Sequence, residues 1–97
     1  MNAKSLVRIR KPVNDTDFYE IAIWLLPRPV KGSTHLFRYR LALVSSDDCV
    51  LRYDNEAGKG DHKHFGRKQV DYNFKDVDRL LKDFDVDVAD WLRRHPK

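Results

Sequence analysis

Between Thr34 and Val44 the side chains alternate without interruption. Phe37, Tyr39, Leu41 and Leu43 share one parity; Leu36, Arg38, Arg40 and Ala42 share the other. A period of two marks an extended strand whose two faces meet different surroundings, so this segment predicts a strand of a sheet with one apolar and one basic face. The neighbouring segments repeat the pattern. Leu6 to Arg10 alternates apolar with basic residues, Phe18 to Leu26 is rich in aromatic and β-branched residues, and Cys49 to Asp54 follows a Ser45-Ser46-Asp47-Asp48 turn. Pro12 with Asn14 to Asp17, and Pro27-Arg28-Pro29 with Gly32-Ser33, supply the other breaks. His62 to Phe65, or Lys68 to Tyr72, can add a further edge strand.

The C-terminal segment changes period. Val77, Leu80, Leu81, Phe84, Val88, Trp91 and Leu92 recur at spacings of three and four, the stripe of an amphipathic helix. Asn73 with Asp76 three residues later reads as its N-cap pair. Phe84-Asp85-Val86-Asp87-Val88 alternates in twos, so a kink is expected there, and Pro96 can only follow the end. The expected fold is therefore α+β: an antiparallel four- to five-stranded meander with one C-terminal helix packed on one face. Its 97 residues suit one domain spanning 1–97.

The natural face for the helix holds Val7, Ile9, Phe37, Tyr39, Leu41, Leu43, Leu51 and Tyr53. The other face then collects Arg8, Arg10, Arg38, Arg40 and Arg52. Such a plate suits phosphates, because guanidinium forks pair with phosphate oxygens. It also reads as a solvated outer face, with arginines paired across strands to Glu20 and Asp54. Residues 75–97 carry six basic and six acidic side chains, so the chain's net charge of +4 lies entirely in residues 1–74. Trp24 has the parity of Glu20, which puts it on the arginine side, able to stack a base or a partner side chain.

Chemistry concentrates in Val50 to His64. These fifteen residues hold two histidines, the cations Arg52, Lys59 and Lys63, the carboxylates Asp54, Glu56 and Asp61, and the amide Asn55. A hairpin through Asn55 to Asp61 returns His62 and His64 to the side of Arg52 and Asp54. RNA cleavage without metal needs a base for the 2′-hydroxyl proton, an acid for the leaving 5′-oxygen, and cations for the charge that builds on phosphorus. In this reading His62 and His64 are the acid and base, Asp54 orients a histidine, and Arg52 with Lys63 or Lys59 holds the phosphate. Gly58 and Gly60 would let backbone approach the ligand. Asn55, Arg38 and Arg40 join Lys59 and Lys63 as substrate contacts. Asp54, Asp61, His62 and His64 are also acceptable zinc or manganese ligands, the signature of a metal-dependent hydrolase, although Lys59 and Lys63 oppose a cation there. A third reading is a polar hairpin with solvated histidines; a fourth, a non-catalytic nucleic-acid- or partner-binding module. The reading adopted needs no metal and no cofactor. His35 and His95 are expected to be structural or solvated.

Several classes fall away. No apolar run approaches the ~20 residues that span a bilayer. Met1 to Ser5 lacks the apolar core of a signal peptide, and Cys49 is the only cysteine, which together point to the cytoplasm. Lys59 between glycines lacks the Walker pattern, so nucleotide hydrolysis is unsupported.

Leu51-Arg52-Tyr53-Asp54-Asn55, a short Gly-containing turn, His62-Lys63-His64, then Tyr72-Asn73-Phe74 and an Asp-containing helix resemble the TumE-type toxins of bacterial and archaeal toxin–antitoxin pairs. Lys75 departs from the Ser or Thr cap expected in that family. The resemblance implies a growth-inhibiting toxin held by a small helix-turn-helix antitoxin, with RNA as its target by analogy to other small toxins.

Overall fold

Each strand of the sheet pairs with its neighbour in sequence, because every connection is short enough for an antiparallel return. A computed structural model describes residues 3–96. Strands β1 (Lys4–Pro12), β2 (Asp17–Leu25), β3 (Phe37–Ser45), β4 (Asp48–Asp54), β5 (His62–Phe65) and β6 (Lys68–Asp71) form one sheet in that order, and helix α1 (Val77–Arg94) follows. The expected α+β meander stands, with six strands rather than four or five. The two segments weighed as alternative edge strands both form, and they pair with each other as a hairpin. Gly66 makes this possible: its φ of 61° at the reversal is open to glycine at no steric cost. Between β3 and β4, Ser46 and Asp47 both take positive φ (48° and 71°), the two-residue turn whose twist suits a hairpin.

Ile23, Tyr39, Leu41, Leu43, Leu51 and Tyr53 from the sheet close over Leu80, Phe84 and Val88 from α1. Each such side chain contributes roughly 1.5–3 kcal/mol by leaving water. Val7 and Phe37 are only partly covered, and Ile9, expected in the core, is 46% exposed. The helix covers the middle of the sheet, and most of β1 is left exposed, with Val7 half-buried against the core.

Two expectations about the helix are corrected. Its N-cap is Asp76, whose carboxylate accepts from the Arg79 backbone N–H at 2.7 Å, so Asn73 lies outside the helix and Lys75 bears no capping role. The helix also runs unbroken through Phe84–Val88. The alternation there has another cause: Asp87 is drawn to the sheet, where it accepts from the Tyr53 hydroxyl and meets Lys63 Nζ at 3.5 Å, while Val86 sits 60% exposed. His95 caps the end of the helix: its backbone N–H donates to the Trp91 and Leu92 carbonyls, and its ring stacks on Trp91 with centroids 4.0 Å apart.

Candidate functional site

Strand register decides which polar groups meet. One row across the sheet reads Arg8, Ala22, Arg40, Asp54, His62, Asp71; the next reads Arg10, Glu20, Ala42, Arg52, His64, Gln69. Trp24 pairs with Arg38 one row further along. All of these lie on the face away from α1, because successive residues of a strand point to opposite sides. The β4–β5 connection is long enough to leave the register even, so Arg52 faces His64 and Asp54 faces His62.

The centre of the site is a cluster of three side chains. Arg52 Nε lies 3.0 Å from Asp54 Oδ2, an ion pair whose N–H is not aimed along the contact. His64 Nε2 lies 3.3 Å from an Arg52 terminal nitrogen and 3.4 Å from Asp54 Oδ1. Arginine can only donate and an ionised carboxylate can only accept. One nitrogen of His64 therefore has a partner in either protonation state: neutral, it accepts from Arg52; protonated, it donates to Asp54. The His62 ring stands 6.5 Å from that of His64, centroid to centroid. Its Nδ1 is 3.2 Å from the Gly60 carbonyl and its Nε2 is 3.3 Å from Asp71 Oδ1. Both partners of His62 are acceptors, so the imidazolium form satisfies both nitrogens.

Around this centre the arginines are unequally paired. Glu20 bridges Arg10 at 3.2 Å and Arg40 at 3.7 Å. Among the described residues no carboxylate lies within ion-pair range of Arg8 or Arg38. Arg38, Arg40, Arg52, Asp54 and Trp24 line a common recess of about 240 Å³. Glu56 borders it too; its carboxyl is held below the usual range by a hydrogen bond from Lys59 and by that ammonium's charge.

Four nominated groups are placed elsewhere. Lys63 lies between His62 and His64 in sequence and so points to the helix face, where it meets Asp87 and the rings of Tyr53 and Phe65. Asn55 is buried: its Oδ1 accepts from the Tyr39 N–H at 2.9 Å, and its Nδ2 donates to the Phe37 carbonyl at 2.6 Å, which pins the start of β3. Lys59 pairs with Glu56 at 3.1 Å on an exposed loop and borders a separate recess beside His62. Gly60 approaches protein backbone rather than open space. A Cβ on Gly32 would come within 2.9 Å of Gly60 N, so the two glycines let the loops before β3 and β5 pack backbone to backbone.

That packing builds a second polar centre, which the sequence did not reveal. Asp61 receives the Ser33 hydroxyl at 2.6 Å, His35 Nε2 at 2.6 Å and the Tyr39 hydroxyl at 2.7 Å. The Phe37 N–H donates to His35 Nδ1 at 3.1 Å, which leaves the ring proton on Nε2, facing Asp61. His35 also stacks on Phe74 at 3.8 Å. Burial, then the bond to Asp61, pushes the Tyr39 phenol well above its ordinary range; burial and Asp87 do the same to Tyr53, and burial and Asp83 to Tyr72. Every polar atom of this centre that points inward has a partner, as a structural pin requires.

Among the described residues no three His, Cys, Asp or Glu side chains converge closely enough to hold a metal ion, and no helix is long and apolar enough to cross a membrane. A family model described as Toxin TumE matches residues 2–92. None of the curated proteins and none of the solved structures gives a significant match.

Proposed function

This chain belongs to the TumE toxin family, and from that premise we propose that it is a metal-independent ribonuclease whose acid and base are His62 and His64. One observation carries the reading: His64 Nε2 is shared between a donor, Arg52, and an acceptor, Asp54, at 3.3 and 3.4 Å on the arginine-bearing face. A general base needs a partner in both protonation states, and Arg52 and Asp54 stand where each would supply one.

In the proposed reaction neutral His64 takes the proton of a ribose 2′-hydroxyl. The 2′-oxygen attacks the adjacent phosphorus, the bond from phosphorus to the 5′-oxygen breaks, and His62 delivers its proton to that leaving oxygen. The products are a 2′,3′-cyclic phosphate and a 5′-hydroxyl. The new proton on His64 turns to Asp54, which holds the imidazolium in place. Arg52, alongside His64, opposes the charge that builds on the phosphate oxygens. The 6.5 Å between the rings leaves room for one phosphate, with each ring within a hydrogen bond, roughly 2.6–3.2 Å, of one reacting oxygen. Asp71 holds His62 weakly, since its side chain is 98% exposed and water competes for it.

Membership in a toxin family further supports a cognate antitoxin, which we propose is a small helix-turn-helix protein. The test of the activity is direct. Purified protein should cut RNA in EDTA, and His62→Ala and His64→Ala should each lose the activity while still binding RNA. RNA that is bound but stays intact with the unmodified protein would instead favour a binding module. Cleavage that appears only after manganese or zinc is added would favour a metal-dependent hydrolase.

A further inference from the structure

We infer that Trp24 is a base-stacking platform that selects single-stranded RNA and leads it to the histidine pair. The inference rests on the ribonuclease reading for the identity of the ligand, and on a separate part of the surface for its argument.

On the arginine face β2 presents Glu20, Ala22 and Trp24 in succession. The methyl group of Ala22 is too small to fill the space between its neighbours. The result is a groove of about 590 Å³ lined by Trp24, Ala22, Arg8, Arg10, Arg40 and Glu20. Trp24 also lines the recess that contains Arg38, Arg52 and Asp54, so one half-buried indole stands at the junction of two depressions. The charges beside it are not equivalent. Glu20 takes up Arg10 and Arg40, and Asp54 takes up Arg52. Arg8 and Arg38, the two arginines with no carboxylate in range among the described residues, flank the indole, one in each depression. An aromatic surface between two cations that no carboxylate pairs directly is the arrangement that a single strand requires: a base on the ring and a phosphate on each side. A duplex keeps its bases stacked on each other and has none to offer the indole. The path from Arg8 across Trp24 to Arg38 and Arg52 ends beside His64.

The test uses a fluorescently labelled 2′-O-methyl oligonucleotide, which has no free 2′-hydroxyl and so cannot be cut by the proposed chemistry. Binding is measured by anisotropy for the single strand and for the same sequence as a duplex. The single strand should bind more tightly, Trp24→Leu should weaken it roughly tenfold, and Trp24→Phe should retain most of the affinity. Leu and Phe are similar in bulk and apolar character, so a merely structural role would move both alike. Arg8→Ala and Arg38→Ala should each lower the slope of log affinity against log salt by about one. Equal affinity of the Leu and Phe variants, or equal binding of duplex and single strand, would overturn the inference. Cleavage assays separate the two failures. If His64→Ala abolishes cleavage but Trp24→Leu leaves binding intact, the ribonuclease reading stands and this inference falls. If binding needs the indole but natural RNA is never cut, the reverse holds.

Discussion

Of the three histidines that meet aspartates, His35 and His64 have surroundings that make them opposites. His35 meets Asp61 at 2.6 Å, its other nitrogen is taken by a backbone N–H, and its ring is covered by Phe74. Asp61 in turn accepts from Ser33 and Tyr39. His64 meets Asp54 at 3.4 Å, with Arg52 competing for the same nitrogen. A carboxylate beside an imidazole therefore does not by itself mark a reactive site. What matters is whether the proton has somewhere else to go. At His35 a single tautomer satisfies every partner, which is the property of a pin. At His64 each protonation state finds a partner, which is what the proposed base requires.

The sharpest way to break this contrast is to truncate both histidines. His64→Ala should reduce RNA cleavage by about 10²–10⁴-fold, with thermal stability almost unchanged. His35→Ala should lower stability and leave the pH profile of cleavage by the remaining folded protein as it was. Cleavage rates and urea unfolding of both variants check the pair.

Asp61→Ala comes next. It strips the acceptor from three donors at once, and each orphaned partly buried group costs about 1–3 kcal/mol, discounted here for the solvent that can reach the loop. A loss of roughly 2–4 kcal/mol in a urea titration is expected. Asp54→Ala, the matching change on the other face, should lower cleavage far more than it lowers the urea midpoint.

Alkaline pH should expose the same asymmetry. The phenols of Tyr39, Tyr53 and Tyr72 are pushed above their ordinary pKa by burial and by their aspartate partners. A folded-state pKa above the unfolded value means that the native state keeps a proton the unfolded chain gives up. The stabilisation is complete below the unfolded value, about 10, and is lost as pH rises beyond it. Melting temperature should fall from about pH 10 upward, and Tyr39→Phe should flatten that fall. On the acid side, burial of Asp83 is outweighed by hydrogen bonds from Tyr72 and Arg79, so its carboxyl lies below the usual range. Its contribution is present above the unfolded pKa and declines as pH drops through the lower folded one.

The smallest effect is expected at Lys63. It stands between the two histidines in sequence, but its partner is Asp87 on the helix, so Lys63→Ala should cost at most about 1 kcal/mol of stability and leave RNA affinity and its salt dependence nearly unchanged. A large loss of RNA binding would mean that the β5 register differs from the one described.

The sheet and its arginine face were legible in the sequence because a period of two is a local property. Arg38 and Arg40 declare their side within β3, and Arg52 and Asp54 within β4. The pairing of His62 and His64 with β4 followed from the turn between them. Parity alone also separates Lys63 from its neighbours, so grouping it with them weighed its charge above its direction. The Asp61 centre was hidden for a different reason. Its partners Ser33, His35 and Tyr39 lie 28, 26 and 22 residues away. They meet because Gly32 and Gly60 let two loops touch through backbone, a contact with no periodic signal. The burial of Asn55 was hidden for the same reason: it accepts from the Tyr39 N–H and donates to the Phe37 carbonyl, main-chain groups of β3 to which no side-chain pattern points.

The most direct test of the account is the chemistry of the cut ends. RNA incubated with the protein in EDTA, then resolved by mass spectrometry, should yield fragments with 2′,3′-cyclic phosphate and 5′-hydroxyl termini, and a single 2′-deoxy substitution at a cut site should block cleavage there. Fragments with 3′-hydroxyl and 5′-phosphate ends, or cleavage that continues past the 2′-deoxy position, would contradict it.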